Sequence, residues 1–370
     1  MKRISAYEHC CLCPRRCGAD RLAAPGFCGE TAELRLASAS IPRGVDPPIT
    51  GAGGSGTVFI TGCNLGCVFC QNWQISRAGM GRAVSAGEFA AICLALEKKG
   101  AENINLVTGS HAVPALLEGI RAARGLGLSV PVLWNSSAYE SREALDLLAD
   151  VVDVYLPDLK TVDREVARRF FLAPDYPEQA TAAILRMLEN RGRLEYRPPA
   201  APVPATVAAA ATAAAVTGPG PSAAAVPAAP AGVLVSGVIV RHLVLPGYLE
   251  ASRDVIRWFA EHARGKALLS LMTQYTPVKP AIPANSVKGP AAGGDDGPPR
   301  RYVNAEEYGQ VCRWLEEYGI EEGFYQELSP DSGWLPDFNR PNPFSSELSL
   351  PVWHWREGMV GQGDERGESP

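Results

Sequence analysis

Residues 57–72 read TVFITGCNLGCVFCQN, so that Cys63, Cys67 and Cys70 follow a short β-rich run. Three thiolates at C-x₃-C-x₂-C spacing can wrap one iron–sulfur cube from a single loop, which leaves the fourth iron without a protein ligand. An open metal position of this kind is where an exogenous ligand can bind. A zinc site that borrows a distant histidine and a cysteine cluster without metal are the alternatives. This spacing directly after a strand is more specific than a lone C-x₂-C and favours the cube.

The chain from Gly56 to about Met272 alternates β-rich runs with amphipathic stretches. The strand-like runs are Thr57–Thr61, Asn103–Val107, Val130–Trp134, Val151–Leu156, Val238–Val244 and Ala267–Leu271. Helical spacing of apolar residues is found in Ala86–Lys99, Val113–Arg124 and Ser141–Ala149, with Ser85 and Ser141 as expected N-caps. This alternation predicts about six parallel βα units, as a partial barrel or an open doubly wound sheet. In both architectures, ligands bind at the carboxyl ends of the strands.

The composition is that of an ordinary globular protein, with 46% hydrophobic and 20% charged residues among 370. A net charge of −5 provides no basic field for a nucleic-acid backbone. The polar start predicts no signal peptide, and outside one Ala/Pro tract no apolar run predicts a membrane span. We therefore expect a cytoplasmic protein without nucleic-acid or membrane partners. Because cytosolic thiols stay reduced, the cysteine-rich first 70 residues are expected to bind metal and not to form disulfides.

Three parts are predicted along the chain: a cysteine-rich leader at 1–50, a core at 51–330 and a helical C-terminal extension at 331–370. The segment 198–231 is almost wholly Ala, Pro, Val, Thr and Gly, a composition that can neither continue a helix nor build a core. We expect it to be a disordered surface insertion. A second Pro- and Gly-rich stretch, 280–299, is expected to be a loop.

The segments of sequence around and after the three-cysteine loop make the interpretation of that loop more specific. The informative segments are GSGTVFITGCNLGCVFCQNWQIS (54–76), ENINLVTGSH (102–111), VLWNSSAYE (132–140), VDVYLPDLK (152–160), VIVRHLVLPG (238–247) and SLMTQYTP (270–277). They resemble a poorly characterised branch of the radical S-adenosylmethionine (SAM) superfamily that is similar to pyruvate-formate-lyase-activating enzymes. The resemblance runs from Cys10 to about Gln326 and implies an α/β fold, a partial (β/α)₆ radical SAM barrel. It also implies two cofactors, a [4Fe–4S] cluster on the three cysteines and SAM chelated to the open iron.

The same resemblance implies an oxidoreductase reaction. The reduced cluster delivers one electron to the SAM sulfonium, and the resulting 5′-deoxyadenosyl radical abstracts hydrogen from a substrate that the sequence does not identify. The electron would come from a donor such as flavodoxin or ferredoxin. The substrate is either a glycyl-radical protein that the enzyme activates or a small molecule covered by the segment Trp334–Phe338. The competing hypothesis is a non-catalytic, cysteine-rich module that binds metal and recruits a partner.

Candidate SAM or substrate contacts follow from their positions at strand ends. Superfamily members hold the SAM amino group with a segment after the second strand, which here is VTGSH (107–111) and lacks the usual acidic residue. The third strand ends in Asn135 and Ser137, two polar residues that also suit a turn. The fourth strand is followed by Asp158 and Lys160, a charged pair for which a surface ion pair is the alternative. No general acid or base is identified. The predicted cofactor contacts are Thr108, His111, Asn135, Ser137, Asp158 and Lys160.

Arg241 and His242 lie next to each other within the fifth predicted strand. A buried charge is costly unless it is paired. Because successive side chains alternate between the two faces of a strand, we expect one of them to point into the barrel and the other outward.

The leader contains a second four-cysteine set, Cys10, Cys13, Cys17 and Cys28, with Cys11 as an extra thiol. Four thiolates can form a closed tetrahedral zinc site or ligate a second iron–sulfur cluster. We expect metal binding here and leave the metal open, with a slight preference for iron–sulfur because the protein already needs cluster assembly.

Overall fold

The computed structural model describes residues 5–43, 46–198, 232–278, 298–326, 328, 335–344 and 349–360. Within them, strands and helices alternate through the core as predicted. The strands are β1 (Arg35–Pro42), β2 (Gly56–Ile60), β3 (Arg82–Ala83), β4 (Ile104–Val107), β5 (Val132–Ser136), β6 (Val154–Pro157), β7 (Glu195–Arg197), β8 (Val233–Leu243), β9 (Leu268–Met272), β10 (Gly323–Tyr325), β11 (Ser349–His354) and β12 (Gly358–Met359). The helices are α1 (Ser5–Glu8), α2 (Pro47–Thr50), α3 (Trp73–Ser76), α4 (Ala86–Lys98), α5 (Val113–Gly125), α6 (Arg142–Leu148), α7 (Arg164–Phe171), α8 (Tyr176–Arg191), α9 (Leu249–His262) and α10 (Ala305–Glu317). Nearly all of the predicted insertion at 198–231, most of the 280–299 loop and Trp334 lie outside the described residues.

One sheet carries the fold, with the strand order β10-β9-β8-β6-β5-β4-β2-β1-β11-β12. The strands from β10 to β2 are parallel neighbours. The six predicted βα strands are therefore confirmed, and β10 is added to them at one edge. At the other edge, β1 pairs antiparallel with β2, and β11 pairs antiparallel with β1. This antiparallel end was not predicted, and it brings β1, which we assigned to the leader, into the core sheet.

The sheet curls around the short helix α2. Ile49 packs with inward-facing aliphatic side chains of β5, β6, β8 and β9 and so closes one end of the lumen. Just before β4, the Asn103 side chain donates to the Ile49 carbonyl at 2.6 Å. On β9, the Ser270 hydroxyl donates to Asp46 Oδ1 at 2.8 Å. The segment around α2 thus contacts the chain both just before β4 and on β9, two strands that lie far apart in the strand order. The sheet must curve to allow this, so the architecture agrees with a partial barrel and not with an open sheet.

The outer face of the sheet packs against the helices. Val58, Leu106, Trp134 and Tyr155 stand in register across β2, β4, β5 and β6, and all four are fully buried. They join the main hydrophobic core with α4, α5 and α8. Burial of both faces explains why the strands are apolar along their length. No helix in the described ranges combines the length and the apolar character needed to cross a bilayer.

Both predicted N-caps are confirmed. Ser85 Oγ accepts a hydrogen bond from the Glu88 N–H at 3.1 Å, and Ser141 Oγ accepts one from the Ala144 N–H at 3.2 Å. The Glu88 carboxylate pairs with Arg82 and does not close a capping box at Ser85. Caps of this kind contribute about 1 kcal/mol each and fix where the helices begin.

The C-terminal extension is not helical where it is described, so that part of the prediction is wrong. Residues 349–360 form β11 and β12, and β11 pairs with β1 from Pro42↔Ser349 to Ser38↔His354. The physical reason is the free edge of β1, whose unpaired backbone groups favour a further strand. Val352 and Trp353 bury their side chains at this edge.

The leader packs directly on the loop that follows β2. The Cys63 N–H donates to the Cys28 carbonyl at 3.2 Å, and Arg15 Nε donates to the Asn64 carbonyl at 2.9 Å. Gly62 lies at this junction with a φ of 88°. A Cβ at Gly62 would stand 2.3 Å from Glu30 Cγ and 3.0 Å from the Cys28 carbonyl oxygen. Only glycine fits between the leader and the loop.

We predict that Gly62→Ala destabilises the protein more than Gly79→Ala does. Both residues have positive φ, so each substitution carries a backbone cost of about 1–2 kcal/mol. A Cβ at Gly79, however, meets no atom within 4 Å. The excess loss of unfolding free energy for Gly62→Ala, measured by urea denaturation, reports the contact between leader and loop. Equal losses in the two variants would contradict this packing.

Candidate functional site

The three-cysteine loop lies at the carboxyl end of β2, and its second half is held by the end of α7. The Gly66 N–H donates to the Phe171 carbonyl at 3.1 Å, and the Val68 N–H donates to the Phe170 carbonyl at 3.0 Å. Phe69 packs edge-on against Phe171, with ring centroids 5.7 Å apart. The loop is therefore fixed by the leader on one side and by α7 on the other.

Cys63, Cys67 and Cys70 are partly buried in this loop, and none forms a disulfide. Burial raises the pKa of Cys63 and of Cys67, and the neighbouring thiols add to the rise, while Arg77 and Lys160 oppose it. Thiols grouped in this way become thiolates when a metal replaces their protons. Three soft sulfur donors in one short loop are the ligands that an iron–sulfur cube requires.

A site for a single metal ion is not formed by these thiols. Within the residues that the structure describes, no three His, Cys, Asp or Glu side chains converge as the ligands of one ion would. The sulfur ligands of a four-iron cube stand farther apart than those of one zinc, because irons and sulfides separate them. The C-x₃-C-x₂-C spacing in the sequence, and not the separation of the thiols, is what favours the cube.

A layer of charged side chains crosses the lumen. Arg241 on β8 points inward, where its Nη1 donates to Asn135 Oδ1 at 3.1 Å. Its guanidinium also forms ion pairs with Asp46 at 3.3 Å and with Asp158 at 3.6 Å. Because a buried cation is stable only beside compensating anions, these four side chains depend on one another.

His242 points away from the lumen, as strand alternation predicts. Its Nδ1 lies 2.8 Å from the Leu159 carbonyl, and its Nε2 lies 2.9 Å from Ser252 Oγ on α9. Burial lowers the pKa of His242 to about 4, which keeps the ring neutral near pH 7. His242 therefore joins the outer face of β8 to α9 and takes no part in the lumen.

Asp158 and Lys160 extend the charged layer toward the cysteines. Lys160 Nζ donates to Asp158 Oδ2 at 2.8 Å, and the two side chains are only 21% and 23% exposed. Burial lowers the pKa of Lys160, but Asp158 and Cys67 raise it by more. Burial likewise raises the pKa of Asp158, but Lys160 and Arg241 lower it by more. The pair is thus charged and lies beside the cysteine loop, so the surface ion-pair alternative is wrong.

Tyr176 joins the ends of β5 and β6 at this point. Its hydroxyl donates to the Asp158 carbonyl at 2.6 Å, accepts from the Lys160 N–H at 3.0 Å and lies 3.0 Å from the Ser137 carbonyl. The sequence did not single out Tyr176, because nothing distinguishes it locally from other core aromatic residues. The Tyr176 hydroxyl thus holds the backbone of Ser137, Asp158 and Lys160, three of the predicted cofactor contacts.

Thr108 adjoins the same group. It adopts a left-handed backbone conformation with φ of 66°, and its N–H donates to the Asn135 carbonyl at 2.9 Å. Five of the six predicted contacts therefore lie together at neighbouring strand ends.

His111 lies apart from them, on the leader side of the loop. Its Nε2 lies 2.8 Å from the Thr61 carbonyl, and its own carbonyl accepts from Arg21 Nη1 at 2.6 Å. Burial and the nearby Arg21 charge lower the pKa of His111 to about 3. A neutral ring thus supports the start of the cysteine loop.

Glu140 is a buried carboxylate that the sequence did not single out. It is 2% exposed, and its Oε1 accepts from Ser110 Oγ at 2.5 Å. Burial raises the pKa of Glu140, although the Ser110 hydrogen bond opposes the rise. The VTGSH segment, which lacks an acidic residue of its own, therefore receives one from the loop after β5. No local signal reveals it, because its partner Ser110 lies 30 residues earlier in the chain.

Part of this chain is similar to known proteins. Residues 57–195 match the model of the Radical SAM superfamily. The uncharacterized protein MJ0674 of Methanocaldococcus jannaschii is 26% identical over 278 residues, which cover 73% of this chain and 67% of that protein.

Two solved structures are among those that resemble part of this chain. Streptococcus suis SuiB bound to S-adenosylmethionine has a TM-score of 0.43 and 10% identity, with 72% of this chain and 48% of SuiB covered. A radical SAM methyltransferase from Sphaerobacter thermophilus has a TM-score of 0.45 and 16% identity, with 74% and 66% covered. This chain thus spans about half the length of SuiB.

The segment that matches the superfamily model begins in β2 and ends at the start of β7. It contains the cysteine loop and all six of the predicted cofactor contacts. Enzymes of this superfamily use a [4Fe–4S] cluster and cleave SAM reductively. Residues 57–195 are thus similar to the Radical SAM superfamily, and the cysteine loop lies within that segment.

Proposed function

We propose that Cys63, Cys67 and Cys70 ligate the [4Fe–4S] cluster and that SAM binds beside it at the strand ends. The observation that carries this proposal is a loop of three thiols at the carboxyl end of β2, next to the partly buried Lys160. His111 is assigned a positioning role, because its Nε2 is already engaged by the Thr61 carbonyl. The proposed SAM contacts are Thr108, Asn135, Ser137, Asp158 and Lys160.

When bound, the cluster and SAM supply a one-electron cleavage of the sulfonium, giving methionine and a 5′-deoxyadenosyl radical that abstracts hydrogen from the substrate. The residues of the chain provide charge and exclude water. Lys160 and Arg241 present cations that suit the SAM carboxylate. Asp158 presents a carboxylate that can accept from an amino or hydroxyl group. The apolar end of the lumen around Ile49 keeps bulk water away from the reaction.

The substrate that we propose is a small molecule. Phe338 is fully buried against Phe59, with ring centroids 5.2 Å apart, on the lumen face of β2. The Phe338 N–H donates to Gln74 Oε1 at 2.8 Å, and its carbonyl accepts from Trp355 Nε1 at 2.9 Å. The segment 335–344 thus covers the lumen beside the cysteine loop. Activation of a glycyl-radical protein, the other version of the function, would require this segment to be displaced.

The setting that we propose is the cytoplasm, with a flavodoxin or a ferredoxin as the electron donor. All ten cysteines are free, which suits a reducing compartment. The reaction class is that of an oxidoreductase, because the substrate loses a hydrogen atom to the radical.

We predict that Cys67→Ala abolishes the release of 5′-deoxyadenosine from SAM, because the cluster loses one of its three ligands. Cys312→Ala is the matched control, since Cys312 is a partly buried thiol on α10, outside the loop. Iron content and 5′-deoxyadenosine would be measured on both variants after anaerobic reconstitution with a chemical reductant. If iron-loaded wild-type protein consumed no SAM, the non-catalytic metal-binding module would be the better description.

Lys160→Met should weaken SAM binding roughly tenfold to a hundredfold, because a hydrogen bond to a charged group contributes about 1.5–3 kcal/mol. Lys99→Met is the matched control, since Lys99 is exposed and its Nζ, among the described residues, donates to the Val360 carbonyl at 3.3 Å, away from the strand ends. Equilibrium dialysis of SAM against the cluster-loaded proteins measures the effect. Unchanged affinity in Lys160→Met would remove Lys160 from the proposed site.

A small-molecule filtrate of cell extract should accelerate 5′-deoxyadenosine release, whereas the retained protein fraction should not, because the lumen is covered against large substrates. The measurement is the rate of 5′-deoxyadenosine formation with each fraction. Stimulation by the protein fraction alone would favour glycyl-radical activation.

A further inference from the structure

The four leader cysteines lie together in a lobe of their own. Cys10, Cys13 and Cys28 are buried, and Cys17 reaches the surface with its Sγ 4.0 Å from the Cys10 carbonyl. Burial raises the pKa of Cys13 and of Cys28, and the Cys10 thiol raises both further, so these thiols are neighbours. The fifth leader cysteine, Cys11, is partly buried.

The apolar core of this lobe is too small to hold it together. Besides Cys10, its buried cluster contains only Ala6, Tyr7 and Leu12, with Ala32 packed against them. Short segments with so little apolar surface need disulfides or a metal for a defined fold. All the leader cysteines are free, so a metal centre is the cross-link that fits.

Arg21 indicates that this centre is negatively charged. Its guanidinium is 1% exposed and donates to the carbonyls of Glu30, Thr31 and His111. The same group lies 3.7 Å from Cys10 Sγ. Among the described residues, no ion pair joins Arg21 to a carboxylate; the neighbouring Glu30 pairs with Arg35 at 3.1 Å, although the Arg21 charge also opposes the rise in the pKa of Glu30. A buried cation needs an anion, and metal-bound cysteinates provide one.

Four thiolates gathered in one small lobe can ligate an iron–sulfur cluster or a single zinc ion.

The lobe is joined to the catalytic loop through two of the cysteines themselves. The Cys63 N–H donates to the Cys28 carbonyl at 3.2 Å. The path from one sulfur to the other therefore runs through the backbones of just two residues and one hydrogen bond. A structural zinc site would make no use of such a connection, whereas a redox centre would.

We propose that Cys10, Cys13, Cys17 and Cys28 ligate a second iron–sulfur cluster, which passes electrons to the catalytic cluster through the Cys28–Cys63 hydrogen bond. The electron-transfer part rests on the proposed function of Cys63, Cys67 and Cys70, whereas the metal site itself does not. A reduced one-electron carrier, a flavodoxin or a ferredoxin, loses one electron to the leader cluster, which then gives one electron to the catalytic cluster. No atom is transferred. The exposed Cys17 places one edge of the leader cluster where a carrier can reach it.

The first experiment separates the metal site from catalysis. A variant with Cys63, Cys67 and Cys70 all replaced by Ala should still bind about four irons after anaerobic reconstitution and give the electron paramagnetic resonance signal of a reduced [4Fe–4S] cluster, while wild type binds about eight. A triple variant with one zinc, or without metal, would overturn the proposal. Wild type with about eight irons that cleaved no SAM would leave the leader site standing and remove the catalytic function.

The second experiment tests electron transfer with matched single variants. Cys13→Ala should lose the leader cluster and its magnetic coupling to the catalytic cluster, whereas Cys11→Ala should keep both. With dithionite, Cys13→Ala should still form 5′-deoxyadenosine, but with reduced flavodoxin its rate should fall to that of the donor-free control. Equal rates for the two variants with flavodoxin would overturn the electron-transfer role. Should Cys13→Ala fail to fold, Cys17→Ala at the exposed position replaces it.

Discussion

Arg241 carries a positive charge into the interior of a parallel barrel, and much of the surrounding structure serves to balance it. Asp46 arrives from the segment before α2, Asp158 from the end of β6 and Asn135 from the end of β5. An unpaired buried charge costs several kcal/mol, so these separate parts of the chain must all be in place for the lumen to close. The balance links the closed end of the barrel to the strand ends at which we propose that SAM binds.

The cysteine loop is held by parts of the chain that do not belong to its own βα unit. The leader fixes the first half, through the Cys63 N–H and the Asn64 carbonyl, and the end of α7 fixes the second half, through Gly66 and Val68. Ligands that are held in position before the metal arrives bind it with little loss of conformational freedom. The leader therefore belongs functionally with the barrel, even though it has its own small core.

Local patterns predicted the barrel well and its additions poorly. Buried parallel strands are apolar along their length, and caps such as Ser85 mark where helices begin, so both could be located from neighbouring residues alone. Asp46 and Glu140 could not be located in this way, because their partners Arg241 and Ser110 are distant in sequence. The periodicity of apolar residues carries no information about such a pairing. The strand β11 was missed for a related reason: it forms because β1 has a free edge, which is a property of the assembled sheet. The cysteine loop was the simplest candidate site to propose, since its three proposed ligands lie in one short stretch of sequence.

The pairing of β11 with β1 has a consequence for how the holoenzyme is assembled. These strands are separated by most of the chain, and contacts of such large separation form late in folding. Phe338 precedes β11 in the chain and packs on Phe59 of β2, so the segment that we propose as a cover over the lumen is synthesised after the barrel strands. If the cysteine loop takes up the proposed cluster, the completed edge of the sheet therefore follows the strands that form the site, and we expect a chain truncated before β11 to leave the loop more accessible than the full chain.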